Sequence, residues 1–405
     1  MELTRAEQML LQAVSASIHG KAVEWTAVSG EEWSELMRLA TQHKVLPLVF
    51  SAVCDCPAAK QWEQKQEFRR LTKQQTAIQI RKTADFLMLY RRMLEADTKP
   101  LVVKGILCRA LYPNGDLRQS SDEDLYVSAE DFSKCSEILK ECGMHTVSDE
   151  SAEEIGWKSP DSLLYLELHR GFFAKNRNAL SGMQTLFENA FSSSAPYSAE
   201  GVQTVFSLSE HDHLLYLLCH SYKHFIRSGF GIRQVCDIGL WAKKYSDKID
   251  WERLYRQCKS VHALDLSAAL FQIAESDLSV GLKLPELWQS VRTDRMPLLK
   301  DILSAGVYGS AEQSRVHSAS VTQNAVSAGR ANRGSGVLRS VFPTAAALQK
   351  DYPILQKNRL LLPVIWCKRL MRYRKETKNR SGATVTEPIK IAKERKKLLK
   401  YYRIL

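Results

Sequence analysis

The 405-residue chain lacks both the long apolar segments that cross membranes and the cysteine pattern of a disulfide-bonded or zinc-binding protein. Its longest apolar runs, such as LLLPVIW at 360–366, are far shorter than the roughly 20 residues that a spanning helix needs. The opening MELTRAEQMLLQAVSA has no basic segment followed by an apolar run, which predicts that there is no signal peptide. The nine cysteines are scattered, with no CxxC pair. This pattern favours reduced thiols and a cytoplasmic location.

A strong charge of one sign is absent from most of the chain. The formal net charge is +12, but residues 368–403 contain 14 Lys or Arg and three acids, so the remainder is nearly neutral. The positive charge therefore belongs to a basic C-terminal tail. Its basic residues with interleaved tyrosines could bind RNA, an acidic polymer or an anionic membrane surface, and a solvated terminal helix explains them equally well.

Apolar spacing predicts helices at both ends of the chain and a sheet between them. Strand patterns occur in PLVVKG (100–105), DEDLYV (122–127) and LLYLELH (163–169), and MHTV (144–147) could be a short strand. A capped helix pattern begins at Ser209. We therefore expect an α+β fold, in which a small mixed sheet is flanked by helices, with N-terminal and C-terminal helical regions. The predicted divisions are an N-terminal helical region (1–98), an α/β core (99–208), a helical domain (209–304), a flexible Ser/Ala/Gly-rich loop (305–336) and a C-terminal helical segment with the basic tail (337–405).

The second strand pattern begins with an acidic motif that a buried strand would not otherwise tolerate. Because side chains two apart on a strand share a face, Asp122 and Asp124 are predicted to project together. Two neighbouring carboxylates repel each other unless a cation, such as a hard divalent metal ion, neutralises them. By the same rule Glu167 and His169 share a face of the third strand. If the two strands are adjacent, three acids could bind one or two Mg²⁺ ions for phosphoryl or nucleotidyl transfer.

Groups that could bind phosphate lie just upstream of the acids. Lys104 and Gly105 end the first strand, where glycine allows close backbone approach and lysine supplies a point charge. Arg118, Ser120 and Ser121 immediately precede the acidic motif and could donate to phosphate oxygens.

The acidic motif alone also has less specific interpretations. Asp122 could cap a turn and Asp124 could be a solvated strand end, since a DxD motif is frequent by chance. Sugar-nucleotide glycosyltransferases also use a DxD motif. The ordered set of strand, Lys-Gly, acidic strand and LELH strand is more specific than any one part.

That ordered set resembles a known family. The strings LVVKGILCRALYPNGDLRQSSDEDLYV, YLELHRGFF, LLYLLCHSYKHF, GIRQVCDIGLW and DWERL are similar to the bacterial family described as uncharacterised nucleotidyltransferase, within the polymerase-beta-like superfamily. The resemblance covers about residues 30–370. It implies a nucleotidyltransferase-type mixed sheet, Mg²⁺ (or Mn²⁺), and an NTP whose NMP passes to an acceptor, which could be a small molecule, a polysaccharide precursor, a protein or RNA.

The resemblance also assigns roles to residues. Asp122 and Asp124 match the metal-binding pair and Glu167 matches the third acid. Lys104 and Gly105 stand where the superfamily usually has a Gly-Ser pair, so the phosphate site must be built differently. This departure favours an alternative, a non-catalytic nucleotide- or nucleic-acid-binding protein that retains the fold. A sugar-nucleotide glycosyltransferase is a third hypothesis.

A histidine pair marks the first helix after the sheet. His220 and His224 are four residues apart and therefore share a helix face. The pair lacks the glutamate of the zinc-protease motif HExxH, which excludes that class. His220, His224, Arg233 and Asp237 could line the substrate cleft, with Arg233 and Asp237 paired, or they could form an interdomain hydrogen-bond network.

Overall fold

The structure is a computed structural model. It describes residues 2–147, 154–161, 163–173, 180, 182–199, 203–227, 229–305, 344–348, 352, 354–368 and 387–405. The predicted flexible loop lies outside these residues except at Ala305, and so does much of the basic tail.

Helices form the N-terminal region, as predicted. Capping boxes at Thr4 and Ser29 start the first two helices by satisfying their free backbone N–H groups. The long helix that the sequence predicted from about Ala58 begins later, because Pro57 first opens a short 3₁₀ turn. The helices are α1 (Arg5–Ile18), α2 (Gly30–Gln42), α3 (Leu46–Val53) and α4 (Lys65–Glu95).

A seven-stranded mixed sheet follows, in the order β3-β4-β5-β2-β1-β7-β6. Its strands are β1 (Leu101–Val103), β2 (Glu123–Tyr126), β3 (His145–Thr146), β4 (Glu154–Lys158), β5 (Tyr165–His169), β6 (Ala195–Ala199) and β7 (Gln203–Ser207). The α+β class is therefore confirmed. The sequence analysis did not identify β4, β6 and β7, which lie in less regular parts of the pattern.

The middle of the sheet positions the acidic residues. β2 lies between β1, to which it is antiparallel, and β5, to which it is parallel. This confirms that the DEDLYV and LELH strands are neighbours. The parallel register places Asp124 beside Glu167 and Tyr126 beside His169.

Helices cover the sheet and complete the chain. Ser209 caps α7 through its side chain, as predicted. The remaining helices are α5 (Gly105–Arg109), α6 (Asp131–Glu141), α7 (Glu210–Phe225), α8 (Ile232–Lys244), α9 (Trp251–Ser260), α10 (Leu264–Ser276), α11 (Glu286–Gln289), α12 (Met296–Ala305) and a C-terminal helix (Glu387–Tyr401), with short helical turns between residues 345 and 368. In the described part of the chain, no helix has both the length and the apolarity to cross a membrane.

One apolar core joins these parts. Its buried side chains run from Ala6 in α1 to Ile404 after the C-terminal helix. A second, smaller cluster of buried residues is formed by Leu348, Leu355 and Ile365.

Candidate active site

Three side chains on β2 and β5 converge as a group that could hold a metal ion. One ligand atom from each of Asp124, Glu167 and His169 lies within 4.8 Å of the others. His169 Nε2 is 3.1 Å from Asp124 Oδ1 and 3.4 Å from Glu167 Oε2. Strand alternation explains the grouping, because Glu167 and His169 are two apart on β5 and Asp124 is the registered neighbour of Glu167.

The charges of this group depend on one another. Burial disfavours the carboxylate of Asp124, but the ammonium of Lys104 and the hydrogen bond from His169 lower the pKa of Asp124 far below its usual range. Burial also disfavours protonated His169, yet hydrogen bonds to Asp124 and Glu167 raise the pKa of His169 to about 9. Burial raises the pKa of Glu167, and the negative charges of Asp124 and Asp122 add to the rise.

Asp122 lies at the edge of the group. It precedes β2 by one residue and is half-buried, and the three converging residues do not include it. Its charge still acts on Glu167, Lys44 and Lys82. Because it precedes the strand, its side chain does not have to follow the alternation that was used to predict its position beside Asp124.

Lys104 contacts the acid group directly. Its Nζ is 2.6 Å from Asp124 Oδ2 and 3.0 Å from His220 Nε2. Its backbone N–H donates to His213 Nε2 at 3.1 Å. The backbone has φ 58° and ψ −128°, a conformation that side chains other than glycine rarely adopt and that tends to occur at functional sites. The predicted phosphate-binding lysine is therefore paired with a predicted metal ligand.

Two histidines of α7 lie near this lysine: His220 contacts it, and His224 contacts His220. His224 Nε2 lies 3.1 Å from His220 Nε2. Burial and the neighbouring charge of Lys104 lower the pKa of His220 well below its usual value and that of His224 to about 3. Neutral His220 can accept a hydrogen bond from the Lys104 ammonium. The structure therefore brings the predicted histidine pair to the acid group through Lys104.

The middle acid of the motif, Glu123, faces the opposite side of β2. It is 1% exposed, and its carboxylate accepts from Arg109 at 2.7 Å, Ser120 Oγ at 2.8 Å and the N–H of Ile106 at 3.2 Å. A Cβ atom on Gly105 would lie 1.7 Å from Glu123 Oε2, and Gly105 has φ +37°.

Gly105 and Ser120 both have a partner within the protein, and their predicted phosphate contacts stay predictions. The missing side chain of Gly105 makes room for the buried carboxylate of Glu123. The Ser120 hydroxyl is likewise bonded to Glu123.

Arg118 and Asp237 form a buried pair behind the site. Arg118 Nε and Nη2 donate to the two carboxylate oxygens of Asp237 at 2.9 and 2.5 Å, and Tyr112 donates to the same carboxylate at 2.8 Å. The predicted Arg233–Asp237 pair is therefore wrong, since Arg233 donates to the carbonyl of Gln119 instead. Arg118 is 3% exposed, which leaves it no access to a substrate phosphate.

Two lysines of the N-terminal region, Lys44 in the turn after α2 and Lys82 in α4, reach the loop before β2, and the sequence analysis missed both. Lys44 Nζ donates to Ser121 Oγ at 2.6 Å. Lys82 Nζ donates to the carbonyls of Ser120 and Ser121 at 2.7 and 3.2 Å. The sequence contained only one weak indication of these contacts. Lys82 occupies a buried position on the same stripe of α4 as Phe86, where an apolar residue is the common choice.

The residues present suit a divalent cation. Two carboxylates and, once His169 gives up its proton to the bound ion, an imidazole nitrogen lie close enough for a single ion. An oxygen-rich set with one nitrogen fits Mn²⁺ as well as Mg²⁺. The fold and the site together define an α+β protein whose central mixed sheet carries a candidate cation site.

Comparison with known families identifies the chain more closely. The profile of the family described as uncharacterised nucleotidyltransferase matches residues 29–277. The chain therefore belongs to this family, as the resemblance in its motifs predicted. No curated protein and no solved structure matches it.

Proposed function

We propose that this chain is a metal-dependent nucleotidyltransferase that moves an NMP from an NTP to an acceptor. The observation that carries the proposal is the convergence of Asp124, Glu167 and His169 on adjacent strands, in a chain that belongs to a nucleotidyltransferase family. Glu167 is half-buried, so the group is partly open to solvent. A cation held there would neutralise negative charge on a bound triphosphate.

The metal ligands in this proposal are Asp124 and Glu167, with His169 and Asp122 beside them. A bound Mg²⁺ or Mn²⁺ would neutralise charge on the phosphates during transfer. Lys104 would leave Asp124 to admit the ion. His220, 3.0 Å from the lysine ammonium, offers it an alternative hydrogen-bond acceptor.

Lys44 and Lys82 are our candidates for the phosphate contacts that the Gly-Ser pair supplies elsewhere in the superfamily. Both ammonium groups lie at the Ser120–Ser121 loop, and Asp122 acts on both electrostatically. Arg233 adds a third positive charge near Lys44. Lysine binds phosphate as a point charge, so this side of the acid group is suited to the donor triphosphate.

One observation favours the alternative, a nucleotide-binding protein without catalysis. Lys104 already neutralises Asp124 at 2.6 Å. If that pair persists, the carboxylate has no need of a metal ion, and nucleotide could bind without being turned over.

Direct binding measurements separate the two proposals. Mn²⁺ binding is measured by electron paramagnetic resonance, NTP binding by calorimetry with and without Mn²⁺, and transfer by pyrophosphate release and by label from an α-phosphate-labelled NTP. We expect wild-type protein to bind Mn²⁺ and to bind NTP more tightly when Mn²⁺ is present. Asp124→Asn should lose both properties.

Asp247→Asn, in an exposed turn after α8, is the matched control and should behave as wild type. Equal Mn²⁺ binding by wild type and Asp124→Asn would refute the proposed metal site. Metal-independent NTP binding without pyrophosphate release would favour the alternative. Hydrolysis of sugar nucleotides without NTP turnover would indicate the glycosyltransferase hypothesis instead.

The preference for Mg²⁺, the class of acceptor and the cytoplasmic location stay predictions. The same holds for the contact of the basic tail with RNA or an acidic polymer, and for the division of the chain into regions at residues 98, 208, 304 and 336.

A further inference from the structure

An apolar surface lies outside the site, on the segment 354–368. Leu355 and Ile365 from this segment bury themselves with Leu348 in the small second cluster, separate from the main core. Other apolar side chains of the same segment remain outside it. Leu360 is 88% exposed and Val364 is 61% exposed, the two highest values among the large apolar side chains that the structure describes.

The exposed apolar residues are close together along the chain. Leu360 lies in the middle of a 3₁₀ turn (Arg359–Leu361), and Val364 lies four residues later in the helical stretch 362–368. Ile354, at the start of the segment, is 52% exposed. Leaving such side chains in water forgoes the free energy that their burial would release, so a partner that covers them would bind with a substantial gain.

The sequence of this segment and of the residues that follow it is strongly basic. From Lys357 to Arg380 the sequence has nine Lys or Arg and one acid, Glu376. Lys368, at the end of the helical stretch, is exposed. A partner that matches both properties must offer a negative surface and an apolar interior.

We propose that residues 354–368 bind the surface of an anionic lipid bilayer. Leu360 and Val364 enter the boundary between head groups and acyl chains, and the exposed Lys368 of the same segment contacts the anionic head groups. An apolar insertion combined with a polybasic stretch is the two-part signal that holds peripheral proteins on membranes. RNA matches the charge but not the exposed apolar pair.

Vesicle sedimentation with the full chain tests this proposal. The vesicles are phosphatidylcholine alone or phosphatidylcholine mixed with phosphatidylglycerol. We expect binding only to the mixed vesicles, weakened by added salt. The double variant Leu360→Ser/Val364→Ser should bind the mixed vesicles at least about tenfold more weakly, since each lost apolar insertion costs roughly tenfold or more.

Met88→Ser is the matched control. Met88 on α4 is 59% exposed, comparable to Val364, but it lies outside the basic stretch. It should bind vesicles as wild type does, and thermal unfolding should show that all three proteins are folded alike. Absence of vesicle binding by wild type would overturn the proposal. So would binding that the double variant retains in full, or binding to single-stranded RNA with none to vesicles.

Discussion

Glu123 and Asp124 show how adjacent residues on one strand acquire different partners on its two faces. The motif Asp-Glu-Asp looks uniform in sequence, yet Glu123 is buried against Arg109 while Asp124 faces the α7 histidines through Lys104. A buried carboxylate is tolerated only when it is paired and hydrogen-bonded. Gly105 is part of that pairing, because only glycine leaves space beside the carboxylate.

Gly105→Ala should therefore destabilise the protein. Its new Cβ would collide with Glu123 Oε2 at a positive φ, and we expect a loss of about 2–5 kcal/mol in the free energy of unfolding. Urea denaturation measures the loss. Gly30→Ala is the control, since nothing lies within 4 Å of a Cβ there and the change should stay below about 1 kcal/mol. Equal effects at the two glycines would contradict this explanation.

Lys104→Met tests the pairing with Asp124. Removing one partner of a buried pair leaves the carboxylate poorly compensated, and we expect a loss of about 3–5 kcal/mol when no metal is added. Because an ammonium and a divalent cation would compete for the same oxygens, Mn²⁺ should raise the melting temperature of the variant more than that of wild type.

Differential scanning fluorimetry with and without Mn²⁺ provides this comparison. Lys248→Met removes an exposed pair with Glu210 and should leave both the stability and the Mn²⁺ response unchanged. Equal Mn²⁺ shifts in wild type and Lys104→Met would show that Lys104 and the ion do not compete.

Among the elements, the turn between α2 and α3 joins the N-terminal region to the rest of the molecule. His43 in this turn accepts a hydrogen bond from the N–H of Ile232, which opens α8, and its Nε2 donates to the carbonyl of Leu303 in α12 at 3.2 Å. The next residue, Lys44, reaches the loop before β2. This short turn therefore carries both a structural contact and a candidate phosphate contact.

Stability should consequently fall in mild acid. Burial lowers the pKa of His43 to about 4, from 6.5. The unfolded chain then binds more protons than the folded chain between these values, so the free energy of unfolding falls as the pH falls through this window. His43 alone should contribute a loss of about 2 kcal/mol between pH 7 and pH 5.

Urea denaturation at the two pH values measures the loss. His43→Gln should lose less stability than wild type over the same interval, whereas His145→Gln, at an exposed position, should lose as much. A wild-type loss that His43→Gln reproduces in full would assign the acid sensitivity to other groups, among them His213 and His224, whose pKa values burial lowers to about 3.

At the scale of the whole molecule, the C-terminal helix is part of the main core. Leu399, Tyr402 and Ile404 are buried in it. Tyr402 Oη accepts from the N–H of Leu298 and donates to the carbonyl of Asp294, both at 2.9 Å. Deleting the basic tail would therefore remove core residues, and charge substitutions are the better test of its binding partners.

Tyr402→Ala should cost about 3–5 kcal/mol, since it leaves a large cavity and two unpaired backbone groups. The neighbouring Tyr401→Ala is the control, because Tyr401 is 48% exposed and its loss should change the free energy of unfolding by less than about 0.5 kcal/mol. Chemical denaturation compares the two. Similar losses of unfolding free energy in the two variants would mean that Tyr402 is not buried in the main core as described.

Much of the fold could be predicted from local pattern. Helical regions at both ends, the strands of β1, β2 and β5 and the cap at Ser209 follow from periodicity and from backbone hydrogen bonding. The strands β4, β6 and β7 could not, because their sequences carry little alternation of apolar and polar residues.

The candidate site, like the fold, could be predicted from the sequence only in part. The amino-acid sequence by itself determined which acids lie on which strand and that Glu167 and His169 share a face, because strand alternation is a local property of the backbone. Only the tertiary structure decided that Lys104 pairs with Asp124, that Arg118 rather than Arg233 binds Asp237, and that Lys44 and Lys82 reach the loop before β2. Charged side chains are long and satisfy whichever partner the packing of distant elements brings within reach, so their pairing depends on the folded arrangement and not on spacing along the chain.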